Sequence, residues 1–69
     1  MLIRLDDPAL VDDLCAHYLR SGFTAEQVGV GLVEVARPEA PNPDQEPREA
    51  IMHLRVWQVL HPDAHAQVT

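Results

Sequence analysis

FTAEQVGVGLVEVAR, residues 23–37, is the stretch on which the fold turns. Its first part, Phe23 to Val28, and its second, Leu32 to Ala36, both have strand-like composition. Gly29-Val30-Gly31 between them offers the positive φ values that a tight hairpin needs. In the second part Val33 and Val35 alternate with Glu34, so the valines are expected inward and the acid outward. Read as a hairpin, the stretch supplies two strands. Read as one long bent strand, it supplies one.

On the N-terminal side, Leu2 to Leu5 is a short apolar run with Ile3 and Leu5 on one face and Arg4 on the other. Asp6-Asp7-Pro8 then starts a helix, with Asp7 as the cap and Pro8 where its missing N–H is not needed. That helix is expected from Pro8 to about Ser21. Leu10, Leu14 and Tyr18 form one apolar row, and Val11, Cys15 and Leu19 the next; Asp12, Asp13, His17 and Arg20 fall on the other half. Asp13 and His17 are spaced to interact along the helix, and Gly22 supplies a left-handed stop.

On the C-terminal side, Pro38 to Pro47 reads as a loop because four prolines prevent a regular element. Asp44 is the expected cap of a second helix that runs to about His61, where Pro62 blocks it. Ala64 to Val68 is expected as a last strand, with Ala66 and Val68 inward and His65 and Gln67 outward. The order β-α-β-β-α-β implies an α+β, ferredoxin-like sandwich: a four-stranded antiparallel sheet with two helices on one face. The alternative, with one bent central strand, is a three-stranded β-α-β-α-β arrangement.

Sixty-nine residues make one domain, 1–69. A chain this short buries only ~60% of its unfolded surface. The single Cys15 excludes an internal disulfide, so a partner subunit or a metal becomes a live question. Five arginines, no lysine and eleven acids give a net charge of −6. Such a surface repels a phosphate backbone and an anionic bilayer, so neither nucleic acid nor membrane is an expected partner. No run approaches ~20 apolar residues, and the acids in MLIRLDDPAL break any signal-peptide core. A cytoplasmic location is the default expectation, and the absence of lysine suits a GC-rich bacterial coding sequence.

The second helix is unusual. Ala50, Ile51, Leu54 and Trp57 share one face, and Met52, Val56, Val59 and Leu60 lie roughly opposite. Arg48 and Arg55 divide them on one side and His53 on the other. An ordinary surface helix carries one apolar stripe. The second stripe is either covered within the chain, by the first helix and the long loop, or meets another subunit. The candidate partner interface is Met52, Val56 and Val59, with Arg55 at its border, and the expected partner is a second copy, making a dimer.

His61-Pro62-Asp63-Ala64-His65 brings two imidazoles and a carboxylate within five residues, with His53 two turns upstream. Zinc accepts such donors, so His53, His61, Asp63 and His65 are the candidate metal ligands. Against this, Pro62 ends the helix, and neither a Cys pair nor His-Glu-x-x-His is present. Cys15 sits in an apolar row and points about 200° away from His17, which suits a small core residue better than a nucleophile. The pairs Asp6-Asp7 and Asp12-Asp13 are what a helix start attracts. No catalytic set, phosphate loop or dinucleotide fingerprint appears, so neither enzyme activity nor a cofactor is expected.

The element order also resembles known modules. Heavy-metal-associated domains carry Cys-x-x-Cys where this chain has Asp6-Asp7-Pro8. RNA-recognition domains carry aromatics on the central strands, where this chain has Arg4 and Glu34. Amino-acid-binding regulatory domains share the topology without a motif placeable here. Gly29 to Val35, the proline-rich loop and Leu54-Arg55-Val56-Trp57-Gln58-Val59-Leu60-His61-Pro62 resemble short bacterial proteins of ferredoxin-like type that have no assigned function. That resemblance implies the element order and no active site. The resulting expectation is a non-catalytic interaction or regulatory module that self-associates. The alternative is a small-ligand or metal-binding domain using the histidines at the end of the second helix.

Overall fold

Alternation and turn chemistry set the strands. In a computed structural model that describes residues 1–37 and 45–69, with side chains after the gap from Arg48 onward, strand β1 spans Leu2–Leu5. Strands β2 (Thr24–Gly29) and β3 (Leu32–Ala36) form the hairpin, and β4 is Ala66–Val68. The bent-strand alternative is excluded, because β2 and β3 pair antiparallel from Thr24↔Ala36 to Gly29↔Leu32. The register slips between Gln27 and Gly29, leaving Val28 in a bulge. Gly31, at φ 66°, makes the turn, and its carbonyl accepts from Leu5 N at 2.7 Å.

The sheet order is β2-β3-β1-β4, antiparallel throughout. Since β3 runs against both its neighbours, β1 and β2 are parallel to each other with β3 between them. By the same logic β3 and β4 are parallel with β1 between them.

Helix α1 occupies Val11–Arg20 and helix α2 Gln45–Leu60. The expected start at Pro8 is a single 3₁₀ turn, Pro8–Leu10, capped by the Asp7 carboxylate on Ala9 N at 3.0 Å. Gly22, at φ 86°, follows α1 as expected. The expected loop across 38–44 and the capping role of Asp44 lie outside the described residues. β4 is shorter than the expected Ala64–Val68. Residues 61–65 instead make a turn tied down by side chains: Gln58 Nε2 donates to the carbonyls of His61 and Ala64, and Gln58 Oε1 accepts from Ala66 N.

Ile3 and Leu5 of β1 and Val33 and Val35 of β3 form one buried cluster with Val11, Leu14, Tyr18, Leu54 and Trp57. Both helices therefore cover the same side of the sheet. Leu19, expected in an apolar row, is 58% exposed. It lies about 140° round the helix from Leu14, beyond the arc that α1 presents to the core. Ala66 packs on the core, while Val68 stays exposed at the sheet edge.

Trp57 is fully buried. Trp57→Ala is expected to cost ~3–5 kcal/mol in denaturant unfolding, a large part of the stability of a small domain. A Cβ on Gly31 would sit 2.6 Å from the Leu5 carbonyl oxygen. Gly31→Ala is therefore expected to lower the thermal midpoint through that clash and through a left-handed backbone that costs about 1–2 kcal/mol for a non-glycine residue. An unchanged midpoint would contradict the close approach of the hairpin turn to β1.

Candidate functional site: the two flanks of the second helix

Helical geometry turns successive residues by about 100°, so each flank of α2 can be followed from the sequence upward. Ala50, Leu54 and Trp57 point into the core. Met52, Val56 and Val59 lie more than about 120° round from that direction and Leu60 about 90° round on one flank, and the four are exposed by 54, 49, 77 and 67%. Arg48 and Arg55, both exposed, lie along the other border of that group. The candidate interface residues Met52, Val56, Val59 and Arg55 thus share one outward surface, and Leu60 extends it. The internal covering by the first helix does not occur among the described residues, because α1 meets a different flank.

The flank that meets α1 is polar. Tyr18 Oη donates to the Ala50 carbonyl at 2.6 Å. Burial pushes the Tyr18 phenol well above the usual tyrosine range, so it remains a neutral donor. His17 Nε2 contacts the His53 carbonyl at 2.9 Å, as a donor because a carbonyl only accepts. Trp57 Nε1 donates to Asp13 Oδ2 at 2.8 Å, and His61 Nε2 lies 2.9 Å from the same oxygen. The expected Asp13–His17 pairing along α1 is replaced by these contacts, since both side chains face α2.

The His61 ring stacks on Trp57, with centroids 4.3 Å apart and planes at 18°. Its Nδ1 faces the Trp57 carbonyl at 3.0 Å. Both partners are acceptors, and a neutral imidazole has one N–H, so in that form the ring donates to one of them at a time.

The other candidate ligands stand apart. His65 is exposed and held by its backbone, with its N–H on Asp6 Oδ1 at 3.0 Å and its carbonyl accepting from Asp6 N at 3.1 Å. Asp63 lines an open hollow of about 350 Å³ with Asp6, Asp7, Leu10, Leu60 and His61. His53 faces α1 instead, its ring edge-on to His17 and Phe23. Among the described residues no three His, Cys, Asp or Glu side chains gather to hold a metal ion. Cys15 is half-buried, and burial, with a smaller effect from Asp12, raises its thiol pKa, which keeps it protonated.

Compared with models of known families, with curated proteins and with solved structures, the chain matches none. The site is therefore read from its own geometry. No helix among the described residues is long and apolar enough to cross a membrane.

Two organising residues escaped the sequence reading. The sequence reads Asp13 as a first-turn acid paired with His17 on the half of α1 away from its apolar rows, and nothing local signals its bond to Trp57. Gln58 is a lone amide close to the buried face of α2, and a polar residue there signals a local backbone partner.

Asp12 and Asp13 share the first turn of α1, so replacing either by Ala removes a similar dipole contribution. Only Asp13→Ala also orphans the Trp57 donor. It is expected to cost about 1–3 kcal/mol more than Asp12→Ala in urea unfolding. Equal losses would mean that the indole bond contributes nothing.

Proposed function

We propose that this chain is a non-catalytic interaction module of ferredoxin-like type that pairs with a second copy of itself through the outer face of α2. The observation that carries the reading is the stripe of Met52, Val56 and Val59, with Leu60 on its flank, open to solvent on the side of the helix away from the core. Fully burying such side chains is worth about 1.5–3 kcal/mol each. Steps of four and then three, from Met52 to Val56 to Val59, are the spacing of a two-helix seam. A two-fold axis brings the same patch from each subunit together, so one surface serves both partners.

The sheet edges are poorer candidates. β4 has three residues, and β2 carries Glu26, Gln27 and a bulge, features that blunt an edge against strand addition. The strand order, with β1 inserted between β3 and β4, supports the ferredoxin-like assignment. A non-catalytic role is supported by the Cys15 thiol, which burial keeps protonated. Arg55 at the border can meet an acid across the interface, although a rim pair adds little.

Light scattering on the wild type and on Val56→Asp tests this reading. The wild type is expected as a dimer that tightens with added salt, because two chains of net charge −6 repel and salt screens that repulsion. Val56→Asp is expected to be a folded monomer. A wild-type monomer or an unchanged mutant dimer would refute the α2 interface, and an unfolded mutant would place Val56 in the core.

A further inference from the structure

Histidines sit at both ends of the seam between α1 and α2, and the two ends differ in chemistry. At the Trp57 end the ring of His61 lies between two acceptors, Asp13 Oδ2 and the Trp57 carbonyl. At the other end the His53 ring lies among rings and cations. It is edge-on to Phe23 at 5.4 Å, to His17 at 5.9 Å and to Tyr18 at 6.4 Å. Arg37, just past β3, covers Phe23 with its guanidinium 5.6 Å from the ring centroid. Glu49, one turn before His53 on α2, is bridged to Arg37.

We propose that His53 is an acid-release point of this seam: the ring is seated between α1 and the sheet while neutral, and taking up a proton loosens the N-terminal half of α2 from α1. A charge there would lose water and add a cation beside His17 and Arg37. The groups facing it from each packed element are His17 and Tyr18 on α1, Phe23 before β2, Arg37 after β3 and Glu49 on α2 itself. Tyr18 remains neutral across this range, and the Glu49 carboxylate is already engaged by Arg37. The contacts released are Tyr18 Oη on the Ala50 carbonyl and His17 Nε2 on the His53 carbonyl.

The electrostatics point the same way. Partial burial first, then His17, then Arg37, holds the His53 pKa below the ordinary histidine value of 6.5. The folded pKa is thus lower than the unfolded one. The stabilisation is complete above the unfolded value and is lost as pH falls through the folded one. This inference uses only contacts within one chain, so it stands or falls separately from the α2 dimer.

The test is histidine titration by NMR on the full chain, joined to unfolding of wild type and His53→Gln between about pH 7.5 and about pH 5. His53 is expected to titrate with a midpoint below 6.5. The fall in thermal midpoint on acidification is expected to be smaller in His53→Gln than in the wild type. Amide protection at Ala50–Leu54 is expected to drop severalfold more than at Trp57–Leu60. A His53 midpoint at or above the ordinary value, the same acid response in both proteins, or uniform loss of protection along α2 would overturn the proposal. If His53→Gln does not fold, the wild-type titration and protection pattern decide it alone.

Discussion

A buried indole has two requirements, apolar surface for its rings and an acceptor for its single N–H. Trp57 meets the first in the core it shares with Ile3, Leu14, Tyr18 and Val35, and the second at Asp13 on α1. One residue thereby fixes the height and the facing of α2. The same Asp13 oxygen receives His61, whose ring stacks on the indole, so the last turn of α2 is held as well. From there Gln58 ties down the turn that leads into β4, and β4 closes the edge of the sheet beside β1. In a chain of 69 residues the core is thin, and this linked set of contacts extends it at the surface.

Much of this was legible in the sequence because period and punctuation agreed. Alternation in LVEVA, the glycines around Val30, Asp7-Pro8 before the first helix and Gly22 after it each signal one local structure. Each element formed within a few residues of its expected place. The core set of Ile3, Leu14, Tyr18, Val35, Leu54 and Trp57 followed from the same periods. The losses came where a side chain has a partner distant in sequence. Asp13 reads as a helix-start acid, yet it bonds residues 44 and 48 positions away. Leu19 continues an apolar row, yet the row curves out of the core, because helical rows at i, i+4 drift around the cylinder. In the candidate ligand cluster from His61 to His65, His61 and Asp63 border one hollow, but the two imidazoles take separate partners. The turn after α2 sends His61 to Asp13 and His65 to Asp6.

Helix α2 is apolar on two sides, which raises a question of specificity. The inner stripe and the outer arc contain side chains of similar hydrophobicity, so burial alone separates the two rotations of the helix weakly. Volume helps, since Trp57 fills the core where Val56 or Val59 would leave a void, and unfilled volume is costly. Direction helps more. Tyr18 to Ala50, His17 to His53, Trp57 to Asp13 and His61 to Asp13 are four polar contacts along one seam. Rotating α2 to bury the outer arc would break the two that run to its side chains, those of Trp57 and His61. Hydrogen bonds add little net stability, but a buried group left without its partner is expensive. The seam therefore selects the rotation, and that selection leaves Met52, Val56, Val59 and Leu60 facing solvent. The polar flank and the open apolar face are two consequences of one choice: a helix oriented by its hydrogen bonds keeps an apolar surface that hydrophobicity alone would have hidden.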